Sequence, residues 1–144
     1  MNSEFSAVLA ALRPGDGGLQ VTVPADWLQG RTVFGGLQMA LAVRAMRSTM
    51  GENERALPLR SAQITFVGPV AGDTPVQLEA EVLRQGRSTV HARCDLLQDG
   101  AVGATVVAIF GVARASQFLH ELPAPKADKG PEDATLPSMD PRLA

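Results

Sequence analysis

The stretch FGGLQMALAVRAMRSTM, residues 34–50, decides the fold. After Gly35 and Gly36 come residues 37–50, rich in Leu, Met and Ala, in which only Val43 and Thr49 are β-branched; that composition favours helix over strand. From Gly35 through Val43 the only polar side chain is Gln38, so the predicted helix is apolar on every side, as a helix enclosed by protein must be. The glycines stand where it begins. The N–H groups at a helix start lack partners within the helix, and glycine lets another molecule approach that backbone with no Cβ in the way. Such a start binds anions or polarises a carbonyl. Gln38 requires a buried partner and is read two ways, as a glutamine bonded to nearby backbone or as a side chain facing a substrate. Farther along, Arg44, Arg47 and Ser48 follow i, i+3, i+4 spacing and share one face near the C-terminal end.

The flanks of this helix read as strands. Before it, Leu19, Val21 and Val23 alternate with Gln20 and Thr22, and Pro24 ends the run. Trp27 and Leu28 fall in the loop that leads to the helix and are expected to cover one of its ends. After it, Gly51 to Pro58 is charged and reads as an exposed loop, and four strand patterns follow. In Leu59 to Val67, Ala62, Ile64 and Phe66 oppose Ser61, Gln63 and Thr65, and Gly68-Pro69 breaks the run. Thr74 to Leu83 sets Val76, Leu78, Ala80 and Val82 against Gln77, Glu79 and Glu81. Gln85-Gly86 is a tight-turn signal leading into Arg87 to Leu97, and Asp99-Gly100 is a stronger hairpin signal. The last run, Ala101 to Ala113, is apolar on both faces apart from Thr105, which predicts a position inside the sheet.

At the N-terminus Phe5, Val8, Leu9 and Leu12 have helical spacing, with Ser3 a candidate N-cap and Pro14-Gly15 a stop, so residues 1–15 read as a short docking helix. Residues 16–114 form one domain. Residues 115–144 hold five of the ten prolines between Pro123 and Pro141, among charged residues and serine, and read as a tail lying on the surface with little secondary structure of its own.

The chain has 144 residues, 45% hydrophobic and 19% charged, enough for one core and too few for two. A net charge of -2 with scattered lysines and arginines argues against a nucleic-acid surface. One cysteine and two histidines make neither a disulfide nor a zinc site, and a cytoplasmic location is expected. No apolar run reaches the ~18 to 20 residues of a membrane span, and Glu4 sits where a signal peptide carries Lys or Arg. No Gly-x-Ser-x-Gly elbow, Walker loop or dinucleotide fingerprint appears, and no cofactor is expected.

One strand, one enclosed helix and four antiparallel strands define an α+β fold in which a curved sheet wraps a long central helix, the hotdog arrangement. It leaves an edge strand open, which two copies would cover by pairing into one sheet. The runs VFGGLQMALAVRAM (33–46), LRSAQITFVGPV (59–70), VLRQGRSTVHARCDLLQDG (82–100) and ATVVAIFG (104–111) resemble, in that order, the acyl-CoA thioesterase group whose larger members carry two hotdog repeats, and they look most like the N-terminal repeat. The tail resembles the linker toward a second repeat, whose place a homodimer, or a dimer of dimers, would take.

The resemblance implies a pocket between two hotdog units, with acyl-CoA entering beside the helix N-terminus along Phe34, Gly35 and Phe66. The Gly36 N–H would bond the thioester oxygen. Arg84, Gly86, Arg87 and Ser88 match the family's R-x-G-R-S segment, which would meet the phosphates or pantetheine of CoA; as residues alone they read equally as a hairpin turn with solvated arginines. Many hotdog thioesterases carry a carboxylate on this helix, but Ala42 and Val43 occupy those positions here, and no Asp, Glu or His lies between Asp26 and Glu52. Gln38 is then the candidate for orienting water, with Thr65 or a group from a partner subunit; Thr65 also reads as a plain outward strand residue. Phe34, Met39, Met46 and Phe66 are expected to make the pocket apolar. A non-catalytic hotdog that binds acyl-CoA or pairs with a catalytic hotdog subunit is the other reading.

Overall fold

A computed structural model describes residues 3–116, 122–126 and 130. The chain divides into two units, Met1–Ala113 and Arg114–Ala144, and every helix and strand among the described residues lies in the first. The tail predicted for 115–144 falls mostly outside the described residues.

The elements in order are α1 (Phe5–Ala10), β1 (Arg13–Gly15), β2 (Gly18–Thr22), a 3-10 turn (Ala25–Trp27), β3 (Leu28–Gln29), β4 (Thr32–Val33), α2 (Gly35–Ser48), α3 (Glu52–Arg55), β5 (Leu59–Phe66), β6 (Pro75–Gln85), β7 (Thr89–Gln98) and β8 (Ala101–Gly111). Six strands form one antiparallel sheet in the order β1-β2-β6-β7-β8-β5, so β8 lies inside it, as its two apolar faces predict, while β1 and β5 are the edges. The β7–β8 hairpin turns at Asp99 (φ 53°) and Gly100 (φ 78°), two successive left-handed residues of the kind an Asp-Gly hairpin supplies.

The core is the contact between α2 and one face of the sheet. Leu37, Leu41, Ala42, Ala45 and Met46 of the helix are buried, as are Val76, Leu78, Val90, Ala92, Cys94, Leu96, Ala104, Val106, Ala108 and Phe110 of the strands. Ala62, Ala108 and Ala92 lie side by side across β5, β8 and β7, a row of small side chains that leaves room for a helix to pack close. Each fully buried leucine contributes roughly 1.5–3 kcal/mol. At the helix C-terminus the Arg47 guanidinium lies 4.9 Å from the centre of the Phe110 ring and donates to the carbonyls of Leu57 (3.0 Å) and Arg55. A cation there complements the helix dipole and ties α2 to the chain leading into β5.

Several expectations need correction. Ser3 is not the cap of α1; Glu4 holds that place and makes no side-chain capping bond. Pro14-Gly15 does not merely stop a helix but belongs to β1, which pairs with β2 in a hairpin that three residues were too short to signal. The charged loop after α2 contains the single turn α3. Met46 is fully buried on α2 and belongs to the core, apart from the cleft that Phe34, Met39 and Phe66 line.

Two results are expected from the packing. A Cβ at Gly18 would stand 2.2 Å from the Leu78 carbonyl oxygen, a backbone atom that cannot yield alone, whereas at Gly68 nothing lies nearer than 3.7 Å. Gly18→Ala should therefore lower unfolding free energy by about 1–3 kcal/mol and Gly68→Ala by no more than about 0.5 kcal/mol, measured by urea denaturation. Burial first, then the charges of Asp95 and Glu79, push the Cys94 thiol up from 9.0 to about 12. Since the folded value exceeds the unfolded one, the thiol's contribution to stability is complete below pH 9 and disappears as pH rises toward 12. Ellman's reagent at pH 8 should leave Cys94 unmodified in the folded chain and label it at once in urea.

Candidate active site

The start of α2 is where the fold leaves polar backbone open. Phe34 precedes the helix in extended geometry (φ −49°, ψ 127°) and offers no side-chain cap, while its carbonyl accepts from the N–H groups of Leu37 (3.0 Å) and Gln38 (3.2 Å). The N–H groups of Gly35 and Gly36 then have no hydrogen-bond partner among the described residues. The chain is held here from both sides. The Val33 N–H donates to the Val70 carbonyl at 2.8 Å and the Phe34 N–H to the Trp27 carbonyl at 2.8 Å. The Thr32 hydroxyl donates to the Val70 carbonyl (3.2 Å) and accepts from the Val70 N–H (2.9 Å).

Beside this start lies a cleft of about 720 Å³, whose walls include Val33, Phe34, Met39, Ile64, Phe66 and Pro69 together with Gly35, Gly36 and Gln38. Two phenyl rings stand against the two glycines. A Cβ on Gly35 would be 2.6 Å from the Phe66 Cζ, and one on Gly36 would be 2.5 Å from the Phe34 Cε1, so any other residue would displace a ring. Both rings remain largely open to solvent, 46% for Phe34 and 57% for Phe66. The cleft is apolar with few polar atoms, the character of a small-molecule site.

Gln38 is 2% exposed. Its Nε2 donates to the Val33 carbonyl at 2.6 Å, and its Oε1 is buried with no partner. The two sequence readings of this residue therefore both describe part of it: one end of the amide is bonded to nearby backbone, and the other is an unsatisfied acceptor on a residue that lines the cleft. Leaving such an acceptor bare costs about 1–3 kcal/mol, which a water or a ligand donor would recover.

The other residues singled out in the sequence are elsewhere. Thr65 pairs with Thr105 on the sheet face opposite Ile64 and Phe66, and it does not line the cleft. Within one chain it cannot share a water with Gln38. Arg84, Gly86, Arg87 and Ser88 surround the β6–β7 turn, where the Gly86 N–H donates to the Thr89 carbonyl at 2.8 Å. Phe66 is level with Ala104 and Leu96 across the sheet, while the turn is level with Phe110 and Gly111. Six to seven residues of strand separate those levels, roughly 20 Å. Gly36 and the arginine turn are thus at opposite ends of the sheet.

Thr32, Val33, Ile64 and the Gly68-Pro69 bend were not anticipated at the site. Only the break at Gly68-Pro69 carried a signal, and it marked a strand end without showing that the chain returns past the helix start. None of the residues lining the cleft is a carboxylate or histidine, and no group of three or more metal-ligating side chains comes together among the described residues. No described helix is long and apolar enough to cross a membrane.

Comparison with known proteins places this geometry. The chain is similar over 99% of its length to a hot dog fold protein of unknown function from Alicyclobacillus acidocaldarius, with 26% identity, 52% of that chain covered and a TM-score of 0.75. The tesB protein of Mycobacterium avium subspecies paratuberculosis is 25% identical over 90% of this chain and 50% of its own, with a TM-score of 0.68. The Escherichia coli PaaI protein of the phenylacetic acid degradation operon is 20% identical over 75% of this chain and 87% of its own, with a TM-score of 0.64, and shows the fold alone. The chain spans about half the length of the first two of these proteins. No curated protein matches it. The acyl-CoA thioesterase N-terminal domain family matches residues 23–111, well over half of the 144 and the whole span from the end of β2 to the end of β8, and to that family of hotdog-fold thioesterases the chain belongs.

Proposed function

We propose that the chain hydrolyses acyl-CoA to free acid and CoA, with the thioester carbonyl at the start of α2. The observation that carries this reading is the unpartnered Gly35 and Gly36 N–H groups bordering an apolar cleft, one of whose lining residues, Gln38, has a buried Oε1 without a partner. The Gly36 N–H donates to the thioester oxygen and strengthens its bond as negative charge develops there. Gln38 Oε1 accepts a bond from water and directs the water oxygen at the carbonyl carbon. As the tetrahedral intermediate collapses, the C–S bond breaks and the water-derived proton ends on the departing sulfur. An amide orients water without accepting its proton, so Gln38 is no general base.

That gap supports a second hotdog unit at the site, and a homodimer is the simplest source. Edge strand β5 ends at the half-exposed Phe66. Two copies paired antiparallel along β5 would bring one copy's arginine turn toward the other copy's helix start, where Arg84, Arg87 and Ser88 would meet CoA phosphates. The lack of any carboxylate or histidine in the cleft favours one other reading, a hotdog that binds acyl-CoA and leaves the chemistry to a catalytic partner.

Release of CoA from a panel of acyl-CoAs by the purified chain separates the two. Turnover is expected in the wild type, about 100-fold less in Gly36→Pro, which removes the N–H in the first helical turn, and less reduced in Gly36→Ala, which displaces the Phe34 ring in the same way but keeps the N–H. Gln38→Leu should reduce turnover more than its loss of one buried hydrogen bond, about 1 kcal/mol, reduces stability. Full turnover in Gly36→Pro and Gln38→Leu, or equal loss in Gly36→Pro and Gly36→Ala, would remove the assigned role of the Gly36 N–H, and binding without turnover in the wild type would select the non-catalytic reading. Light scattering at micromolar concentration should give at least twice the 15.1 kDa chain mass; a monomer at every concentration would rule out the paired site.

A further inference from the structure

Arg44, Arg47 and Ser48 share one face of α2 near its C-terminus, and the fold brings Arg55 of α3 beside them. A second cleft of about 350 Å³ lies there, between α1 and α2, lined by Arg44, Arg47 and Arg55 on one side and by Leu9, Leu12 and Leu19 on another. No aspartate or glutamate is among its lining residues. The ion pairs between described residues are those of Arg93 with Glu81 and Asp95, so none of the three arginines is in a salt bridge with a described residue, although Glu52 and Glu54 stand in the same single turn as Arg55. Three cations gathered on one cleft, with no carboxylate among its lining residues, oppose one another.

Their arrangement is set by the backbone. Arg47 is held through the Arg55 and Leu57 carbonyls and the Phe110 ring. The Arg55 Nε donates to the Met50 carbonyl at 3.0 Å, which leaves both terminal nitrogens of that side chain free. Arg44 is exposed and makes no hydrogen bond or ion pair among the described residues. Two fixed guanidinium groups and one free one, facing leucines, are preorganised for an anion with an apolar part.

We propose that this cleft binds a phosphate ester or diphosphate that carries an apolar group, the phosphates on Arg44 and Arg55 and the apolar group against the leucines. A single carboxylate fills one guanidinium fork and leaves two cations unneutralised, whereas a diphosphate offers enough oxygens and charge for all three. The site is separate from the cleft at the α2 N-terminus, with which it shares no lining residue, so it stands or falls independently of thioester hydrolysis.

The test is calorimetric titration of the full chain, at physiological salt, with inorganic pyrophosphate, isopentenyl diphosphate and octanoate. Trp27 fluorescence provides a second readout, since this only tryptophan lies 6.1 Å from Phe5 of α1 and its indole N–H donates to the Ser3 carbonyl at 3.1 Å. Both diphosphates should saturate the chain below about 1 mM, isopentenyl diphosphate at least as tightly as pyrophosphate, and octanoate more weakly than either. Arg44→Ala should weaken diphosphate binding about tenfold or more with an unchanged melting temperature. Arg55→Gln should do the same, and Arg93→Gln, at an ion-paired arginine that lines neither cleft, should have no effect. Absence of saturable diphosphate binding, tighter binding of octanoate, binding that survives Arg44→Ala, or loss of binding in Arg93→Gln would each overturn the proposal.

Discussion

The contact between α2 and the sheet is the interaction on which everything else depends. Alanines on both surfaces, Ala42 and Ala45 of the helix and the row Ala62, Ala108 and Ala92 of the strands, make room for a close approach. Close packing buries the sheet-facing side of the helix, and Phe34, which precedes it, makes no side-chain cap. Gly36 at that start is itself exposed, and its N–H, like that of Gly35, has no partner among the described residues and borders the cleft. The helix that fills the core thus also presents its uncapped end at the cleft.

Gln38 shows the same coupling at one side chain. Its Nε2 bond to the Val33 carbonyl fixes the amide against β4, and β4 is fixed in turn by the bonds of Thr32 and Val33 to Val70. An acceptor held so firmly has few ways to turn toward another partner within the chain. Rigidity of this kind is favourable only if something outside the chain meets the oxygen, since the alternative is a buried polar atom with no compensation.

Much of this was legible from residue order, because periodicity reports burial directly. The alternation in β6 and β7, the apolar run of β8 and the all-apolar helix each gave the element and its facing. What escaped had no local pattern to carry it. A three-residue strand such as β1 is too short for alternation, and Met46 looks like Met39 until the helix is seated. The site was readable where backbone chemistry announced it, at Gly35, Gly36 and Gln38. It was not readable where long-range packing decides, as in the return of Gly68-Pro69 past the helix start. Thr65 illustrates the limit well: its outward facing was plain from alternation, but whether an outward residue meets anything depends on a surface beyond the chain. The arginines of the β6–β7 turn are likewise visible as a motif, while their distance from Gly36 belongs to the strand register.

The strand order has a consequence for how the chain is made. β5 pairs with β8, which ends at Gly111, and α2 rests on β6, β7 and β8, all of which follow it in sequence. During synthesis the most apolar helix leaves the ribosome before any strand that covers it except β2, and at about 5–20 residues per second the cover arrives seconds later. The intervening species is an uncovered helix with apolar sides and no sheet, a target for chaperones or for its own neighbours on the same messenger. The two long strand pairings that finish the domain, β2 with β6 and β5 with β8, close large loops around a local meander of β6, β7 and β8, so these non-local closures are the slow steps and the meander is the first cover the helix meets.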